Sequence, residues 1–528
     1  MPHLSRRLSP ATLFMLSMNG IVGSGWLLAP LYVAKIAGAA AIFSWIIGGL
    51  AAILIAFTFA ELSTMLPVGG GTAHIPQLSH GPFASFILSW IAWLTSLLLV
   101  PIEVQAVLQY ASTFFPFLMH EVSGAPVLTD WGYLWASILM LSLCALNIVS
   151  YQGLVRFNFA LFIFKFSVIA ITIVAIMHAQ FSPANFSGMM NATMTMSGWK
   201  DILSAVAAGG VVLAFNGFKS GVELAGEAKN LAVAIPLSTV GAVLGCLIIY
   251  LGLQVCFIGA LDPSSFANGW EHLRFSGDIG PFVGLASALG LVLLLKFIYA
   301  NSVISPLGAG LIYVTSTARI LFAMSRIGYV PKFLSKLNHQ HFPVNAILVN
   351  FILGMLSFLP FPGWKAMMNF LVSAIVITYA MGPIALLCLR KTLANQKRPF
   401  KLPAANFLCL LAFYCCNLFS FWTGWDTISK LAIALSVGII IFSLSCLRGM
   451  VKVKSEEIRS ALWILPYLSG LVLFSYLGSF GGIGVMPFGW DFLVIGIFTV
   501  VILRLAVHQR ASINPAQLQA FLVSENLD

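Results

Sequence analysis

Long apolar runs that recur along the whole chain are the feature that most constrains its fold. Fourteen such runs approach or exceed the ~20 residues that an α-helix needs to cross a bilayer. They lie at about 11–35, 39–66, 82–114, 131–150, 156–180, 201–229, 233–260, 283–324, 343–361, 367–389, 405–424, 430–448, 461–479 and 489–507. With 60% hydrophobic and 8% charged residues, the chain leaves no hydrophilic stretch long enough for a soluble domain. We therefore predict an all-α membrane protein with about fourteen transmembrane helices.

The eighth run, at 283–324, is too long for one upright helix and contains Pro306. We interpret it as one long tilted helix preceded by a surface helix. Two separate spans here would invert the orientation of everything downstream. The distribution of positive charge after residue 324 favours one span, because the lysines and arginines stay on the side expected for the cytoplasm.

The basic residues also indicate the orientation of the chain. With the N-terminus in the cytoplasm, 19 of the 27 lysines and arginines lie at inner ends and loops, and five lie outside. The remaining three, Lys165, Lys219 and Lys296, fall within the membrane. This bias predicts cytoplasmic termini at 1–9 and 508–528, and the short termini favour a bacterial inner membrane. The net charge of +11 thus reflects the bilayer and not nucleic acid as a partner.

Two polar, glycine-rich interruptions stand inside otherwise apolar runs, at 19–25 and at 214–219. Gly20, Gly23 and Gly25 together disfavour a continuous helix, and Ser24 competes for backbone hydrogen bonds. Non-helical backbone in a bilayer is tolerated where it lines a cavity. Two breaks at matching places in two halves of a chain indicate a secondary transporter that holds its substrate between half-helices. Glycines that let helices pack closely are the alternative explanation.

The two breaks offer complementary groups to a zwitterion. Free N–H groups at the start of the outer half-helix suit a carboxylate, and they belong to Ser24, Gly25 and Trp26. Carbonyls suit an ammonium group, and those near the breaks belong to Asn19, Gly20, Ile21, Phe215 and Asn216. The pair of breaks therefore predicts an α-amino acid as substrate better than a sugar or a simple ion.

Ionisable residues inside a span are costly and are functional candidates by default. Lys165 lies about nine residues from Arg156, or ~14 Å deep, and Gly20 lies at a similar ~15 Å from its own end. A lysine at this level can exist charged or neutral, and when charged it mimics a bound sodium ion. We predict that Lys165 carries the coupling proton; a side chain that reaches back to the interface is the alternative.

The other charged and aromatic residues near the breaks allow two interpretations each. Lys219 either answers the second carboxylate of an acidic substrate or pairs with Glu223 at i+4. Glu103 is a weaker proton-coupling candidate that either pairs with Lys296 or lines a water path with it. Three aromatic residues could close over a substrate or simply pack, namely Trp26, Phe215 and Phe218. Two carboxylates near inner helix ends are expected to be partly exposed, namely Glu61 and Glu227.

Several motifs resemble the amino acid–polyamine–organocation (APC) superfamily. They are GIVGSG at 20–25, AELSTMLPVGGG at 60–71, GFKSGVELAGEAKN at 217–230, GYVPK at 328–332 and RPFKLP at 398–403. The resemblance implies a LeuT-type fold with discontinuous spans 1 and 6, in which spans 1–5 (10–180) and 6–10 (201–391) are inverted repeats. It also implies alternating access. Spans 11–14 (405–507) lie outside this core and could support lipid packing or a homodimer.

The same resemblance implies roles for particular residues. Gly23, Ser24 and Gly25 would bind the substrate carboxylate, and its amino group would meet carbonyls at Ile21, Phe215 and their neighbours Asn216 and Gly217. Lys165 stands where some proton-coupled members carry a lysine in place of sodium. Gly-Ser-Gly-Trp26 and Gly-Phe-Lys219 look most like bacterial aspartate–proton symporter-type permeases. Three positions depart from the superfamily pattern, namely Lys219, Leu231 and Ile327.

We therefore predict a secondary active transporter that takes up an amino acid with a proton, with an acidic substrate favoured by Lys219. An amino-acid or amine exchanger on the same fold is the first alternative, and a multispan membrane enzyme or sensor is the second. The nine histidines are scattered, with His339 and His341 the only close pair, which disfavours the enzyme. All eight cysteines lie in apolar runs without CxxC spacing. We accordingly expect no metal and no cofactor other than the proton.

Overall fold

The computed structural model describes residues 8–68, 71–122, 125–149, 151–273, 280–338, 342–360, 363–447 and 455–511. Most of the predicted N-terminal segment (1–7) and C-terminal segment (512–528) lies outside these ranges, as do Gly69 and Gly70 of the second motif and the His339–His341 pair. Within the described ranges the protein is mostly helical, as the apolar runs predicted.

The helices of the first half are α1 (Pro10–Ile21), α2 (Gly25–Ala37), α3 (Ala41–Met65), α4 (Gly71–Ala111), α5 (Asp130–Val149), α6 (Tyr151–Ala179), α7 (Gly188–Thr193), α8 (Met196–Ala208), α9 (Val211–Ala214), α10 (Lys219–Glu223), α11 (Leu231–Pro236) and α12 (Ala242–Ala260). A π-helical segment at Leu237–Gly241 joins α11 to α12, which makes them one continuous rod. The long α4 bends at Gly81, whose φ of 79° lies outside the helical region.

The remaining helices are α13 (Pro281–Ala288), α14 (Val292–Ile327), α15 (Val344–Leu356), α16 (Gly363–Thr392), α17 (Ala405–Trp422), α18 (Trp425–Leu447), α19 (Ser455–Arg459), α20 (Ile464–Leu477) and α21 (Trp490–His508). The prediction of one long helix in the eighth run is confirmed, since α14 runs unbroken for 36 residues through Pro306. The preceding helix α13 packs against the protein through Phe282 and Leu285. Its location at the membrane surface stays a prediction.

The all-α prediction needs one correction. Two short strands, β1 (Met119–Val122) and β2 (Ala125–Leu128), pair antiparallel between α4 and α5, with Met119 opposite Leu128. They occupy a stretch that the sequence assigned to a loop outside the apolar runs. The exposed pattern of β1 places this hairpin at the surface of the helical body.

Eleven helices in the described residues are long and apolar enough to cross a membrane, or twelve if the bent pair Met196–Ala208 and Val211–Glu223 is one span. Two differences separate the larger number, twelve, from the predicted fourteen. The span at Gly25–Met65 counts α2 and α3 as one, and α15 has only 13 residues. A many-spanning helical membrane protein is therefore confirmed, while the number fourteen stays a prediction.

The interrupted helices lie inside the bundle. Helix α4 packs against α14 and α16, and α12 packs against α3. Helix α1 lies against α6, α12, α14 and the 3₁₀ turn Asn216–Phe218 that precedes α10. This packing brings the end of the first break to the second, although the two are about 190 residues apart in the chain.

Candidate functional site

The first interruption lies where the sequence predicted it, within narrower bounds. Helix α1 ends at Ile21 and α2 begins at Gly25, so residues 22–24 form the break. Gly23 is required here for space, because a Cβ atom on it would stand 2.2 Å from Oε1 of Glu103. The break thus forms around a carboxylate from α4 that only a glycine can admit.

The second interruption has two parts, of which the sequence predicted one. The sharper part lies at Gly209 and Gly210, where φ of Gly210 is 94° and the flanking helices bend by 41°. The predicted part at 214–219 is the milder 3₁₀ turn Asn216–Phe218. The Gly-Gly pair was the available signal for the missed part, since adjacent glycines mark a turn.

The two breaks touch through glycine. A Cβ atom on Gly217 would stand 2.1 Å from the backbone N of Ile21, and one on Gly20 would stand 3.3 Å from Oγ of Ser220. Close packing, the alternative explanation for these glycines, therefore operates at Gly20 and Gly217. These two glycines lie where the two broken segments meet. They therefore belong to the interruptions and also allow the segments to pack closely.

A side chain of the protein itself lies where the sequence predicted an anion. The backbone N–H of Ser24 donates a hydrogen bond of 2.6 Å to Oε2 of Glu103, which is only 5% exposed. The hydroxyl of Ser24 accepts a 2.8 Å hydrogen bond from Nε1 of Trp364. The N-terminus of α2 thus binds a carboxylate, as helix dipoles favour. Trp364 was missed, because no local pattern links the start of α16 to residue 24.

Lys165 occupies the opposite side of the same break. Its Nζ donates to the carbonyl oxygens of Asn19 at 3.0 Å and Val22 at 2.5 Å, and the side chain is fully buried. The alternative, a side chain that reaches back to the interface, is therefore wrong. Ser305 adds a hydroxyl donor 3.0 Å from the Val22 oxygen. The carbonyls of the break are held by donors much as a cation would hold them.

Two tyrosines complete the polar contacts of the break. The hydroxyl of Tyr313 donates to the carbonyl of Gly20 at 2.5 Å. The hydroxyl of Tyr250 lies 3.0 Å from the carbonyl oxygen of Ile21 and 3.2 Å from that of Ala214, so it connects the first break to the second. These tyrosines were not predicted, since they lie on α14 and α12, more than 200 residues away in the chain.

Lys219 lies apart from the first break, beside α16. Its Nζ donates to Oγ1 of Thr378 and lies 4.7 Å from the ring centroid of Tyr379. Glu223 is 2% exposed and makes no ion pair with Lys219 within 4.0 Å, so the predicted i, i+4 pair is not formed. Within the described residues, neither carboxylate oxygen of Glu223 has a hydrogen-bond partner of normal geometry; Thr72 is its polar neighbour.

The remaining predicted residues are buried around the two breaks. The amide oxygen of Asn216 accepts a 3.1 Å hydrogen bond from Tyr379. Phe215 packs edge-on against Tyr250, with ring centroids 5.5 Å apart. Two aromatic residues proposed as gates also make ring contacts: Trp26 stacks on Phe282 at 5.8 Å, and Phe218 lies 5.3 Å from Tyr379. These contacts are compatible with packing and with gating.

Three weaker predictions are corrected by the structure. Lys296 is exposed on α14 and does not meet the buried Glu103. Glu61 is fully buried and receives two hydrogen bonds from Arg390, at 2.8 and 2.5 Å. Glu227 is likewise buried and lies 3.2 Å from a guanidinium nitrogen of Arg319. The expected partial exposure of both carboxylates was wrong, because arginines distant in the chain cover them.

Membrane-crossing helices around two touching interruptions, with a buried lysine and a buried carboxylate at one of them, define a membrane transport protein. Comparison with known proteins identifies the kind. The model of the amino acid permease family matches residues 8–444. The chain therefore belongs to the amino acid permease family, as its APC motifs predicted, and it is a transporter and not an enzyme.

Individual relatives match over almost the whole chain. The glutamate/serine transporter AimA of Bacillus subtilis is 34% identical over 508 residues, covering 95% of this chain and 93% of that one. The aspartate-proton symporter of the same organism is 32% identical over 505 residues, covering 95% and 96%. The branched-chain amino acid permease BcaP of Bacillus subtilis is 25% identical over 462 residues, covering 84% and 93%.

Proposed function

We propose that this permease takes up an acidic amino acid together with a proton. The observation that carries the proposal is the hydrogen bond of 2.6 Å between the N–H of Ser24 and the carboxylate of Glu103. A substrate carboxylate needs the same donor. Substrate binding at the N-terminus of α2 would therefore compete with Glu103 for one position.

This competition supplies a route to proton coupling. A carboxylate that loses its donor inside a buried site is stabilised when it takes up a proton. Among titratable groups, Glu103 is faced by Lys165, Tyr250 and Tyr313 from three neighbouring helices. An acidic substrate that displaces Glu103 would bring one net negative charge to the site beside Lys165, and protonation of Glu103 would restore the charge balance.

Lys165 gives the proposal its second support. A charged ammonium holds the carbonyls of Asn19 and Val22, which a sodium ion would otherwise have to hold. Loss of its proton would weaken these contacts and release the break. Proton coupling through Lys165, with Glu103 as its carboxylate partner, is therefore favoured over sodium coupling.

Contacts at both breaks support an amino acid as the ligand. A hydroxyl carries one hydrogen, so Tyr250 can donate to only one of the carbonyls of Ile21 and Ala214 at a time. The carbonyl of Ile21 also accepts the N–H of Gly23 at 3.1 Å, so a substrate ammonium, with three hydrogens, could donate to the carbonyl of Ala214. Gly23, Ser24 and Gly25 would take the carboxylate, and Asn216 and Gly217 would line the amino side.

Lys219 supplies the case for an acidic side chain. It is only half-buried, and although Glu223 acts on its charge from a distance, the two make no ion pair within 4.0 Å. A second carboxylate on the substrate would find a cation there. Two relatives that match nearly end to end are named for glutamate and serine and for aspartate, so each name includes an acidic amino acid.

We further propose the LeuT-type arrangement of 5+5 inverted repeats, with fourteen spans in a bacterial inner membrane and both termini in the cytoplasm. In the described residues, α1 and α2 form a broken first span, and α8 to α10 form a broken sixth span. The breaks thus fall at the corresponding position of each proposed repeat. Trp26 and Phe218 would act as gates beside them.

Uptake into proteoliposomes under an imposed pH gradient tests the function. We expect accumulation of labelled glutamate or aspartate that follows the gradient, and a Lys165→Ala variant that loses this dependence. Lys365→Ala, a change outside the buried site, is the matched control. Counterflow that persists in Lys165→Ala without any response to pH would identify an exchanger instead. Failure to carry any amino acid would refute the proposal.

A further inference from the structure

Two cavities meet on the membrane face formed by α17 and α21. The first, of about 610 Å³, is apolar and is lined by residues such as Phe407, Leu411 and Ile497. The second, of about 620 Å³, has a mixed lining whose polar half consists of Lys391, Asn406, Arg504, His508 and Arg510. Leu410, Val500 and Arg504 line both cavities, so they are two parts of one continuous depression, which we call the α17–α21 groove.

The apolar part of this groove has the length of one lipid leaflet. Gly496, Val500, Arg504 and His508 recur every four residues and therefore form one stripe of α21. At the far end, the hydroxyl of Tyr414 donates a 2.9 Å hydrogen bond to the carbonyl of Phe492 and joins the two helices. Phe492 to Arg504 spans ~18 Å, and half of a hydrocarbon core is ~15 Å.

The polar end of the groove carries uncompensated positive charge. Lys391 lies in the last turn of α16, Arg504 lies in the last turns of α21, and Arg510 follows that helix. Within the described residues, no carboxylate lies within 4.0 Å of any of the three. Arg510 donates one hydrogen bond to the carbonyl of Val507, while its buried Nε has no partner in the described chain.

We propose that the α17–α21 groove binds an anionic glycerophospholipid. Its phosphate would lie among Lys391, Arg504 and Arg510, and one acyl chain would follow the stripe from Val500 past Gly496. Basic pockets between helices at a membrane surface bind anionic head groups in this way. A zwitterionic lipid would bring its ammonium to the same cations and bind less well. The groove is separate from both breaks, so this site does not depend on the identity of the transported substrate.

Native mass spectrometry of the delipidated full-length protein in detergent tests the site. The probe is phosphatidylglycerol, compared with phosphatidylcholine of the same chains and with inorganic phosphate. We expect preferential retention of phosphatidylglycerol and a higher melting temperature with it. Each lost cation should weaken binding about fivefold, so Lys391→Gln with Arg504→Gln should weaken it about 25-fold. The matched control exchanges two exposed lysines elsewhere, Lys332→Gln with Lys401→Gln, and should change nothing.

A second variant tests the apolar part without altering charge. A Cβ atom on Gly496 would meet Cε2 of Tyr414 at 3.7 Å, an ordinary contact, so Gly496→Leu fits the fold and fills the groove. It should reduce retention of phosphatidylglycerol. Equal retention of the two lipids, or an equal stabilisation by inorganic phosphate, would overturn the proposal. Two further outcomes would also overturn it. One is lipid binding that appears only after removal of residues 512–528. The other is a Gly496→Leu variant that dissociates a dimer and leaves the retention of phosphatidylglycerol unchanged.

Discussion

Glu103 has two proposed roles: it accepts the hydrogen bond from Ser24 at the first break, and it takes up the coupling proton. The substitution Glu103→Gln should preserve the first role and abolish the second. Glutamine has nearly the shape of glutamate, and its amide oxygen can accept the hydrogen bond that Ser24 N–H donates over 2.6 Å. It cannot take up a proton at any accessible pH. The fold around Gly23 should therefore persist, because the side chain that fills the space above Gly23 is retained.

The magnitude follows from the change in that hydrogen bond. A hydrogen bond to a charged acceptor contributes ~1.5–3 kcal/mol, and one to a neutral acceptor contributes ~0.5–1.5 kcal/mol. Glutamine should thus hold Ser24 less tightly by ~1–1.5 kcal/mol. A substrate carboxylate that competes for the same N–H should bind about 5- to 10-fold more tightly, since 1.4 kcal/mol is a factor of ten. Accumulation driven by a pH gradient should nevertheless be lost.

Two measurements on one preparation check this combination. Equilibrium binding of labelled substrate to purified protein gives the affinity, and uptake into proteoliposomes with and without a gradient gives the coupling. Glu121→Gln, an exposed change on β1, is the matched control and should alter neither. Weaker binding in Glu103→Gln, or accumulation that still follows the gradient, would refute competition between Glu103 and the substrate.

Three further substitutions test other contacts. Gly23→Ala would place a Cβ atom 2.2 Å from Oε1 of Glu103, so the carboxylate must leave Ser24. Because Glu103 can then no longer return to Ser24 when the substrate leaves, a charged hydrogen bond of ~1.5–3 kcal/mol is missing from the transport cycle, and uptake in proteoliposomes should fall by about tenfold or more. Lys219→Gln should reduce uptake of glutamate and aspartate more than that of serine, measured by competition, because only the acidic substrates use a second cation. Glu61→Ala should lower the free energy of unfolding by up to ~3 kcal/mol, measured by thermal melting, because it leaves the partly buried Arg390 and Arg398 without their carboxylate.

Two of these changes have a matched control in the chain, and Lys219→Gln is judged by comparing substrates. Gly188→Ala adds a Cβ atom with nothing within 4 Å and should leave uptake unchanged. Asp426→Ala breaks an exposed pair with Lys430 and should cost no more than ~1 kcal/mol. Equal losses for glutamate and serine would remove Lys219 from substrate selection. Normal uptake by Gly23→Ala would show that Glu103 need not occupy the break, and an unchanged melting temperature for Glu61→Ala would contradict its structural role.

Local sequence predicted the break in α1 better than the break before α10. Glycine and serine at 20–25 act on their own backbone, so their effect is visible without knowledge of the fold. At the second break, the polar residues Asn216 and Lys219 predicted the position of the interruption. The sharper bend lies at Gly209 and Gly210. Helix propensity shows which segment forms a helix poorly. The packing of neighbouring helices decides at which residue that segment bends.

The partners of the site residues could not be predicted, because they come together only through packing. Depth along a helix correctly placed Lys165 near the level of the first break. Nothing local indicated that Glu103 would reach Ser24, or that Arg390 would cover Glu61 from 329 residues away. Position near a helix end suggests exposure for a carboxylate, and only the folded structure supplies the arginine that covers Glu61 and reverses this expectation.

The hydrogen bonds at the first break make substrate binding an exchange. The N–H of Ser24 already donates to Glu103, and the carbonyls of Asn19 and Val22 already accept hydrogen bonds from Lys165. A ligand that replaces these contacts one for one gains little net energy from them, because a hydrogen bond exchanged for another contributes only the difference. Affinity must therefore come from groups whose hydrogen bonds or charge are not fully satisfied within the protein. The carbonyl of Ala214 meets this description, because it shares the single hydrogen of Tyr250 with a carbonyl of Ile21 that Gly23 also donates to. The half-buried ammonium of Lys219 meets it as well. They are the positions at which an amino group and a second carboxylate would add contacts and not merely exchange them.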